Sequence, residues 1–289
     1  MRTIKLLTGL LLAISLTAQV QAKCSQQSLR IGVIPKKSMQ MLMNEHKPLL
    51  DRLSAAVGMP VEIVPASSYE SVVDAVVSGG VDIAWLGPAS YVLAQQRDPR
   101  IEPFASLTIN KGYFTPAGHH YQALLLARRE TASDLAGLRG KRGALTDPAS
   151  TSGSVVPNAA FSEQLGIPLS AFFGAVVYTG SHDKSLDALL DGRVDAAFVA
   201  SVRADEYLNS GKIQRDTLSV LWRSDNIYYD PYVFNGSLCP ELKARVRRAM
   251  LTDQAGLAAF LASQDASGIA PVSHAEYAPL IRMMQVTVP

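Results

Sequence analysis

Strand-like and helix-like segments alternate along nearly the whole chain, and this alternation limits the possible folds more than any other feature of the sequence. The run "LRIGVIP" (29–35) predicts a strand and "SMQMLMNEHKPLLDRLSAAVG" (38–58) a helix, and the same order continues to residue 107. Helices of this length supply the crossover connections that parallel strands require, and they cover both faces of the sheet. The sequence therefore predicts an α/β fold built on doubly wound, mostly parallel sheets.

The alternation forms two series, which predicts two lobes. The segment "TINKGYFTPAGHH" (108–120) has neither the apolar periodicity of a helix nor that of a strand, and a second series of strands and helices begins after it. Two segments are also alike, "SGGVDIAWLGPASY" (78–91) and "DGRVDAAFVASVRA" (191–204). A chain of this length is long for one core, and two facing α/β lobes leave a crevice at the carboxyl ends of their strands. The predicted division is lobe I from 23–107, the hinge and lobe II from 108–222, and a return to lobe I with C-terminal helices from 223–289, with crossing segments near 108–120 and 222–230.

The first 22 residues have the layout of a secretory signal peptide. Arg2 and Lys5 precede an apolar stretch over 6–17, and small residues end at Ala22, after which we expect cleavage. No later stretch approaches the roughly 18 continuous apolar residues of a membrane span. The sequence therefore predicts export to the periplasm.

Charge and cysteine content fit an exported protein without a nucleic-acid or membrane-surface role. The chain has 27 basic and 25 acidic residues, and removal of Arg2 and Lys5 with the signal peptide balances them. Only Cys24 and Cys239 are available in an oxidising compartment, so we expect them to form one structural disulfide. Lys23, beside the first cysteine, disfavours lipidation there.

The stretch "ALTDPASTSGSVVPNAAFSEQLG" (144–166) joins a predicted strand to a predicted helix and is rich in hydroxyl groups. The first turn of a helix has free N–H groups and the positive end of the dipole, both of which attract anions. We expect the helix to begin near Gly153. Pro157 then lies in the first turn, where backbone N–H groups have no partner within the helix, so its lack of an N–H costs no hydrogen bond. One or two hydroxyls are enough to cap a helix, so the surplus favours an anion site over capping alone. The hydroxyl residues are Ser150, Thr151, Ser152 and Ser154.

Two strand-to-helix junctions of lobe I supply further candidates. Ser67 and Glu70 match a capping box, which places Tyr69 in the first turn of the helix and near the crevice. Ser90 and Tyr91 lie in the first turn of the next helix. For both tyrosines, packing in the core remains the alternative to ligand contact.

The junction "YTGSHDKSL" in lobe II contains His182 and Asp183. A histidine with a pKa near neutrality would donate to an anion and make binding sensitive to pH, although a residue beside the cap is the simpler interpretation. A carboxylate at Asp183 would favour an oxyanion that keeps a proton, because it repels fully deprotonated ones. Asp195 begins a strand and is interpreted as structural.

The motifs "TDPASTSGSVVP" and "YTGSHDKSLDALLDGRVDAAFVAS" resemble those of the PhnD-type phosphonate, phosphite and phosphate binding proteins of ABC importers, and residues 29–94 resemble the first lobe of that family. The resemblance implies a type II periplasmic binding protein with two lobes and a hinge of two crossing segments, which closes on its ligand and delivers it to a permease. It also implies ligand contacts from Tyr69, Tyr91, Ser150, Thr151, Ser152 and His182.

One departure from the family concerns "DNIYYDPYVFNGSLCP" (225–240), where Tyr228 replaces a usual proline. The family also includes sensory relatives that pass a ligand signal to a histidine kinase, some of which bind arsenite through a pocket cysteine. Neither cysteine here follows a strand of the crevice. We expect a monomer that captures a phosphorus oxyanion for an ABC importer; the alternative is a sensing protein that acts on a two-component kinase.

The sequence gives little support to an enzyme or a metal protein. It contains no Gly-x-Ser-x-Gly, His-Glu-x-x-His or Cys-x-x-Cys motif. The pair His119 and His120 lies in the segment between the lobes, where adjacent side chains diverge. We therefore expect no catalytic residues, no metal and no cofactor.

Overall fold

The computed structural model describes residues 24, 26–252 and 254–286, so the predicted signal peptide and its cleavage site lie outside the described residues. Within that part of the chain, no helix is long and apolar enough to cross a membrane. Two separate sheets form the centres of two lobes, and a third, two-stranded sheet connects them.

The sheet of lobe I has six strands and mixed direction. In spatial order the strands are β13 (Ala266–Pro271), β4 (Glu102–Ile109), β12 (Pro231–Phe234), β3 (Ile83–Trp85), β1 (Leu29–Val33) and β2 (Val61–Val64). Strand β1 runs parallel to both of its neighbours, β2 and β3, whereas β12 is antiparallel to β3 and β4, and β13 is antiparallel to β4.

The sheet of lobe II has five strands, of which β7 is parallel to β8 and β9, and β6 is antiparallel to β9 and β10. In spatial order they are β10 (Leu218–Arg223), β6 (Ala123–Arg128), β9 (Ala196–Ala200), β7 (Arg142–Leu145) and β8 (Ala175–Tyr178). The predicted two-lobed α/β architecture is present. Most strands of each sheet point in one direction, as predicted, and the exceptions are β12 and β13 in lobe I and β6 in lobe II. Strand β12 enters lobe I directly from lobe II without a crossover helix, and its antiparallel direction follows from that route.

The chain passes between the two sheets through a short antiparallel ribbon. Strand β5 (His120–Tyr121) pairs with β11 (Ile227–Tyr228), so the outgoing and returning segments are hydrogen-bonded to each other. The pair holds together the two segments that cross between the lobes, which is the arrangement of a hinge with two crossing segments.

Ten α-helices of the described residues cover the sheets. Helix α1 illustrates the local signals, because the Ser38 hydroxyl accepts from the Met41 N–H and Gly58 ends the helix with a φ of 73°. In lobe I they are α1 (Met39–Val57), α2 (Tyr69–Ser78), α3 (Pro88–Arg97), α8 (Pro240–Leu251), α9 (Ala258–Ser263) and α10 (Ala278–Val286); in lobe II they are α4 (Ser162–Leu165), α5 (Leu169–Phe172), α6 (His182–Leu190) and α7 (Ser201–Asn209).

The capping box of α2 lies one residue later than predicted and uses different side chains. Ser68, not Ser67, is the N-cap, and it exchanges hydrogen bonds with Ser71 rather than with Glu70. Either of the two adjacent serines has a side chain suited to an N-cap. Ser68 has the extended backbone conformation of the N-cap residue in the structure. As a result Tyr69 is the first residue of the helix.

The predicted disulfide is present and connects the N-terminal segment to helix α8. Cys24 is bonded to Cys239, which is the N-cap residue of α8, across a separation of 215 residues. Within the described residues no cysteine is free. The bond therefore fixes the segment that leads into β1 to the outer layer of lobe I.

Replacing both Cys24 and Cys239 with serine is expected to lower the free energy of unfolding by up to about 5 kcal/mol, because a very long loop no longer restricts the unfolded chain. Urea denaturation followed by circular dichroism measures the change. Reduced wild-type protein is the control and should match the double variant. Equal midpoints for oxidised and reduced wild-type protein would contradict this role.

Candidate ligand-binding site

A small cavity lies between the lobes, where strands β1, β3, β7 and β9 end. The space open to the centre of a water molecule is about 20 Å³. Adding the radius of a water molecule gives an equivalent sphere about 3 Å in radius, close to the size of one tetrahedral oxyanion. The polar residues of its wall are Lys36, Tyr69, Tyr121, Ser150, Thr151, Ser152, His182, Arg203, Tyr229 and Asp230.

Three consecutive hydroxyl residues form the wall where the chain leaves β7 and begins a helix. Ser150 is the N-cap, and its side chain accepts from the N–H of Gly153 at 3.2 Å. The helix begins at Thr151, earlier than the predicted start near Gly153, and its first turns are wide, with the Val155 N–H donating to the carbonyl of Ser150 at 3.0 Å. This start presents the hydroxyls of residues 150–152 to the cavity.

Gly153 and Pro157 explain how this helix start is held against the sheet. Pro157 has no N–H, so it cannot donate to the carbonyl of Gly153, which instead accepts from the Thr146 N–H at 2.9 Å. A β-carbon at Gly153 would lie 2.2 Å from the Thr146 hydroxyl oxygen. Only glycine therefore allows the helix to approach the end of β7 this closely.

Hydrogen bonds join the two lobes beside the cavity. The hydroxyl oxygen of Thr151 accepts from the N–H of Ala89 in lobe I at 2.8 Å, so its own proton remains available to another acceptor. The lobes are therefore closed against each other. The other bonds run from the Ser90 hydroxyl to the Ala149 carbonyl at 2.8 Å and from the Tyr69 N–H to the Asp147 carboxylate at 3.4 Å.

An ionic contact also crosses between the lobes. Lys37 of lobe I lies 3.2 Å from the carboxylate of Glu206 on helix α7 of lobe II, and it pairs with Glu45 of its own lobe. Lys37 is buried, whereas Glu206 is half-buried. The contact exists only while the lobes are closed, so it adds to the stability of that state without touching the cavity.

His182 is a neutral hydrogen-bond donor. Its Nδ1 accepts from the N–H of Ala200 at 3.3 Å, so the proton of the neutral ring is on Nε2. Burial, assisted by the positive charges of Arg203 and Lys36, lowers the pKa of His182 to about 3. The lowered pKa differs from the near-neutral value expected from the sequence, because burial keeps the ring neutral near pH 7.

Three buried phenols face the cavity, from Tyr69, Tyr121 and Tyr229. Burial first, and the negative charge of Asp230 second, raise the pKa of each well above its usual value. All three therefore stay protonated and can donate. The hydroxyl of Tyr69 is buried near that of Ser150 but makes no well-formed hydrogen bond among the described residues, which is costly unless a ligand supplies one.

Charged groups at the cavity wall are paired. The ammonium of Lys36 lies 3.6 Å from the Asp230 carboxylate and 3.6 Å from the centre of the Trp85 ring. Burial lowers the pKa of Lys36 and raises that of Asp230, and each is opposed by the charge of its partner. Arg203 is buried and donates to Asp183 at 2.5 Å and to Glu206.

Comparison with known proteins agrees with this geometry. The family described as the periplasmic substrate-binding protein of phosphonate ABC transporters matches residues 31–277. The chain belongs to this family. The Phosphate-import protein PhnD of Mycolicibacterium smegmatis is 26% identical over 280 residues, which cover 90% of this chain and 86% of the relative.

Two solved structures share the fold. A binding protein component of an ABC phosphonate transporter from Pseudomonas aeruginosa superposes with a TM-score of 0.80 at 23% identity, covering 90% of this chain and 86% of the other. PhnD1 of Prochlorococcus marinus in complex with methylphosphonate gives a TM-score of 0.77 at 18% identity, covering 90% and 98%. Membership of the phosphonate-binding family implies a periplasmic location, a small ligand and a permease partner. The members of this family are substrate-binding proteins of transporters rather than enzymes.

Of the eight residues predicted for the site, five line the cavity and three do not. Ser90 makes a bond between the lobes, and Asp183 is occupied by Arg203 on the far side of the wall. The hydroxyl of Tyr91 is 2.6 Å from Nδ1 of His274, because its position in α3 turns it away from the cavity. The five that line the cavity are Tyr69, Ser150, Thr151, Ser152 and His182.

Five polar residues of the wall are not predicted from the sequence. Lys36 follows β1 directly, at a strand-to-helix junction of the same kind as those that supplied the other candidates. Arg203 occupies the position of Ser90 in the second of the two similar segments, so that similarity indicates a position at the crevice. The remaining three lie in or beside the ribbon between the lobes, where strand-end reasoning does not apply. The five are Lys36, Tyr121, Arg203, Tyr229 and Asp230.

Two other sequence-based interpretations concern residues outside the cavity. Asp195 accepts from the backbone N–H of Arg142 at 2.9 Å and pairs with its guanidinium, which is a structural role. His119 lies with its ring parallel to that of Tyr228, and no group of three or more metal-ligating side chains occurs among the described residues.

Because burial lowers the pKa of His182 to about 3, folding opposes its protonation. The stability that it contributes is complete above the ordinary pKa of about 6.5 and is lost as the pH falls below that value, by about 1.4 kcal/mol per unit. His182→Gln should therefore flatten the decrease in unfolding free energy between pH 6.5 and 5, measured by urea denaturation. An imidazole signal of His182 titrating near 6.5 in NMR spectra would contradict this assignment.

Proposed function

We propose that this protein binds a tetrahedral phosphorus oxyanion, namely phosphate, phosphite or a small phosphonate, between its lobes and delivers it to the permease of an ABC importer. The observation that carries the proposal is the cavity itself, which is about as large as one such ion and is surrounded by hydrogen-bond donors from both lobes. The Phosphate-import protein PhnD of Mycolicibacterium smegmatis and the methylphosphonate complex of PhnD1 support the same ligand class.

The proposed contacts divide between the lobes. From lobe II, Ser150, Thr151 and Ser152 offer hydroxyl protons, and Nε2 of His182 offers a fourth donor. From lobe I, the unpartnered phenol of Tyr69 offers a fifth. An oxyanion has several oxygens with more than one lone pair each, so all of these donors can be used at once, and hydrogen bonds to a charged acceptor are the strong kind.

Lobe closure is the proposed response to the ligand. A ligand shifts the balance between open and closed states only by its difference in affinity for the two, so it must contact both lobes. The hydroxyls of lobe II are available in either state, whereas Tyr69 reaches the ligand only after closure. The bond between Ala89 and Thr151 and the contact between Lys37 and Glu206 then stabilise the closed form.

The remaining parts of the proposal concern the route of the protein and its partners. The signal peptide is removed after Ala22, and the mature protein acts in the periplasm as a monomer that binds without chemical turnover. The closed protein docks on the permease, which opens the lobes and receives the ion.

Phosphate, phosphite or methylphosphonate should raise the melting temperature of the wild-type protein. Thr151→Val should weaken binding of the best of them by about 10- to 100-fold, since it removes a hydrogen bond to a charged group and also the acceptor of the Ala89 N–H between the lobes. Isothermal titration calorimetry measures the affinities. Ser154→Ala is a matched control, because Ser154 is on the same turn but bonds to Tyr178 instead of lining the cavity. If none of the three ions binds, the proposed function is contradicted.

Glu206→Gln should weaken ligand binding by up to about tenfold, because the half-exposed ion pair with Lys37 that stabilises the closed state is lost, together with one of the two carboxylates that hold Arg203 in the cavity wall. Small-angle scattering should then require more ligand for full compaction. Glu45→Gln is the control, because it removes the partner of Lys37 within lobe I and leaves the contact between the lobes. Unchanged affinity and unchanged compaction in Glu206→Gln would contradict a role of this contact in closure.

A further inference from the structure

The ion pair of Lys36 and Asp230 is part of the cavity wall, and the fold holds both side chains in place. Lys36 follows the end of β1, Asp230 precedes β12, and Trp85 ends β3 between them. The indole N–H of Trp85 donates to the backbone carbonyl of Asp230 at 3.2 Å, while the face of the same ring lies 3.6 Å from the ammonium of Lys36. Trp85 is itself stacked on Tyr232 with ring centres 5.1 Å apart.

The position of the pair matters because Asp230 is the one carboxylate that lines the cavity among the described residues. It is the natural partner for any cationic group of a ligand. That position is already taken by the ammonium of Lys36, which is 5% exposed and cannot swing into solvent without leaving its place against Trp85. A second ammonium would also meet the positive charge of Arg203 in the same wall.

From this arrangement we infer that Lys36, paired with Asp230, is a specificity-determining residue that restricts the site to compact oxyanions without a long or cationic substituent. The inference rests on the proposed function and narrows its ligand class. Two physical terms act together. The side chain of Lys36 occupies space beside Asp230 that a substituent would need, and its charge neutralises the one carboxylate of the described cavity wall with which a ligand amine could pair.

The test uses three phosphonates that separate size from charge. Methylphosphonate is compact, propylphosphonate adds a neutral tail, and 2-aminoethylphosphonate has a tail of the same length that ends in an ammonium group. Calorimetry with the wild-type protein should give tight binding of methylphosphonate and at least about 100-fold weaker binding of the other two. Propylphosphonate binds weakly because its tail meets the side chain of Lys36, and 2-aminoethylphosphonate also because its buried ammonium has no partner.

Lys36→Ala removes more atoms than an aminoethyl tail contains and leaves Asp230 without its partner. This variant should gain at least about tenfold in affinity for 2-aminoethylphosphonate relative to methylphosphonate, and less for propylphosphonate, because only the ammonium neutralises the carboxylate. In Lys36→Ala with Asp230→Asn, the advantage of the amine over the propyl tail should disappear. Lys36→Ser, which leaves nearly the same space and can donate to Asp230, replaces the alanine variant if that protein does not fold.

Lys37→Ala is the matched control, because this neighbouring buried lysine contacts Glu45 and Glu206 and does not line the cavity. It should change all three affinities by a similar factor and leave their ratios as in the wild type. Wild-type protein that binds 2-aminoethylphosphonate within about tenfold of methylphosphonate, or ratios unchanged by loss of Lys36, would overturn this inference alone. Failure of wild-type protein to bind phosphate, phosphite or methylphosphonate would overturn the proposed function as well.

Discussion

The hydrogen bond from the N–H of Ala89 to the hydroxyl oxygen of Thr151 joins the lobes at the cavity wall, and the rest of the site depends on it. A hydroxyl can accept and donate at the same time, so the bond to lobe I leaves the proton free to point at a ligand. The absence of a side chain at Gly87 permits this approach, since a β-carbon there would lie 3.2 Å from the Thr151 oxygen. Ligand contact and lobe contact thus meet on one atom, which couples binding to closure.

The fold and half of the site follow from local sequence signals. Alternating strands and helices, with a break at 108–120, are properties of contiguous segments, and they predict two α/β lobes correctly. The surplus of hydroxyls at 150–152 is likewise local, because a helix start needs only one of them as a cap. The direction of β12 is different. It depends on the chain returning from another lobe, which no local pattern contains.

The part of the site that the sequence does not reveal consists of residues brought together across the fold. Asp183 was the expected carboxylate of the site, but Arg203 lies within reach of it and removes it from the cavity. Among the described residues, Asp230 is the carboxylate that lines the cavity, and it lies in a segment whose sequence predicts only a connection between the lobes. For Tyr91, the sequence predicts the position in the helix but not the contact of its hydroxyl with His274, which is distant along the chain.

The charges around the cavity are arranged so that the groups facing an anion are mostly neutral. Phenols, hydroxyls and the imidazole of His182 donate without carrying a charge, while Lys36 and Arg203 are each held by a carboxylate. A buried unpaired cation would be costly in the empty protein, and it would hold an anion strongly even after the lobes separated. Neutral donors supplied by two lobes behave differently, because opening the lobes removes the lobe I donors together. An arrangement of this kind suits a protein that must bind an ion firmly and then release it.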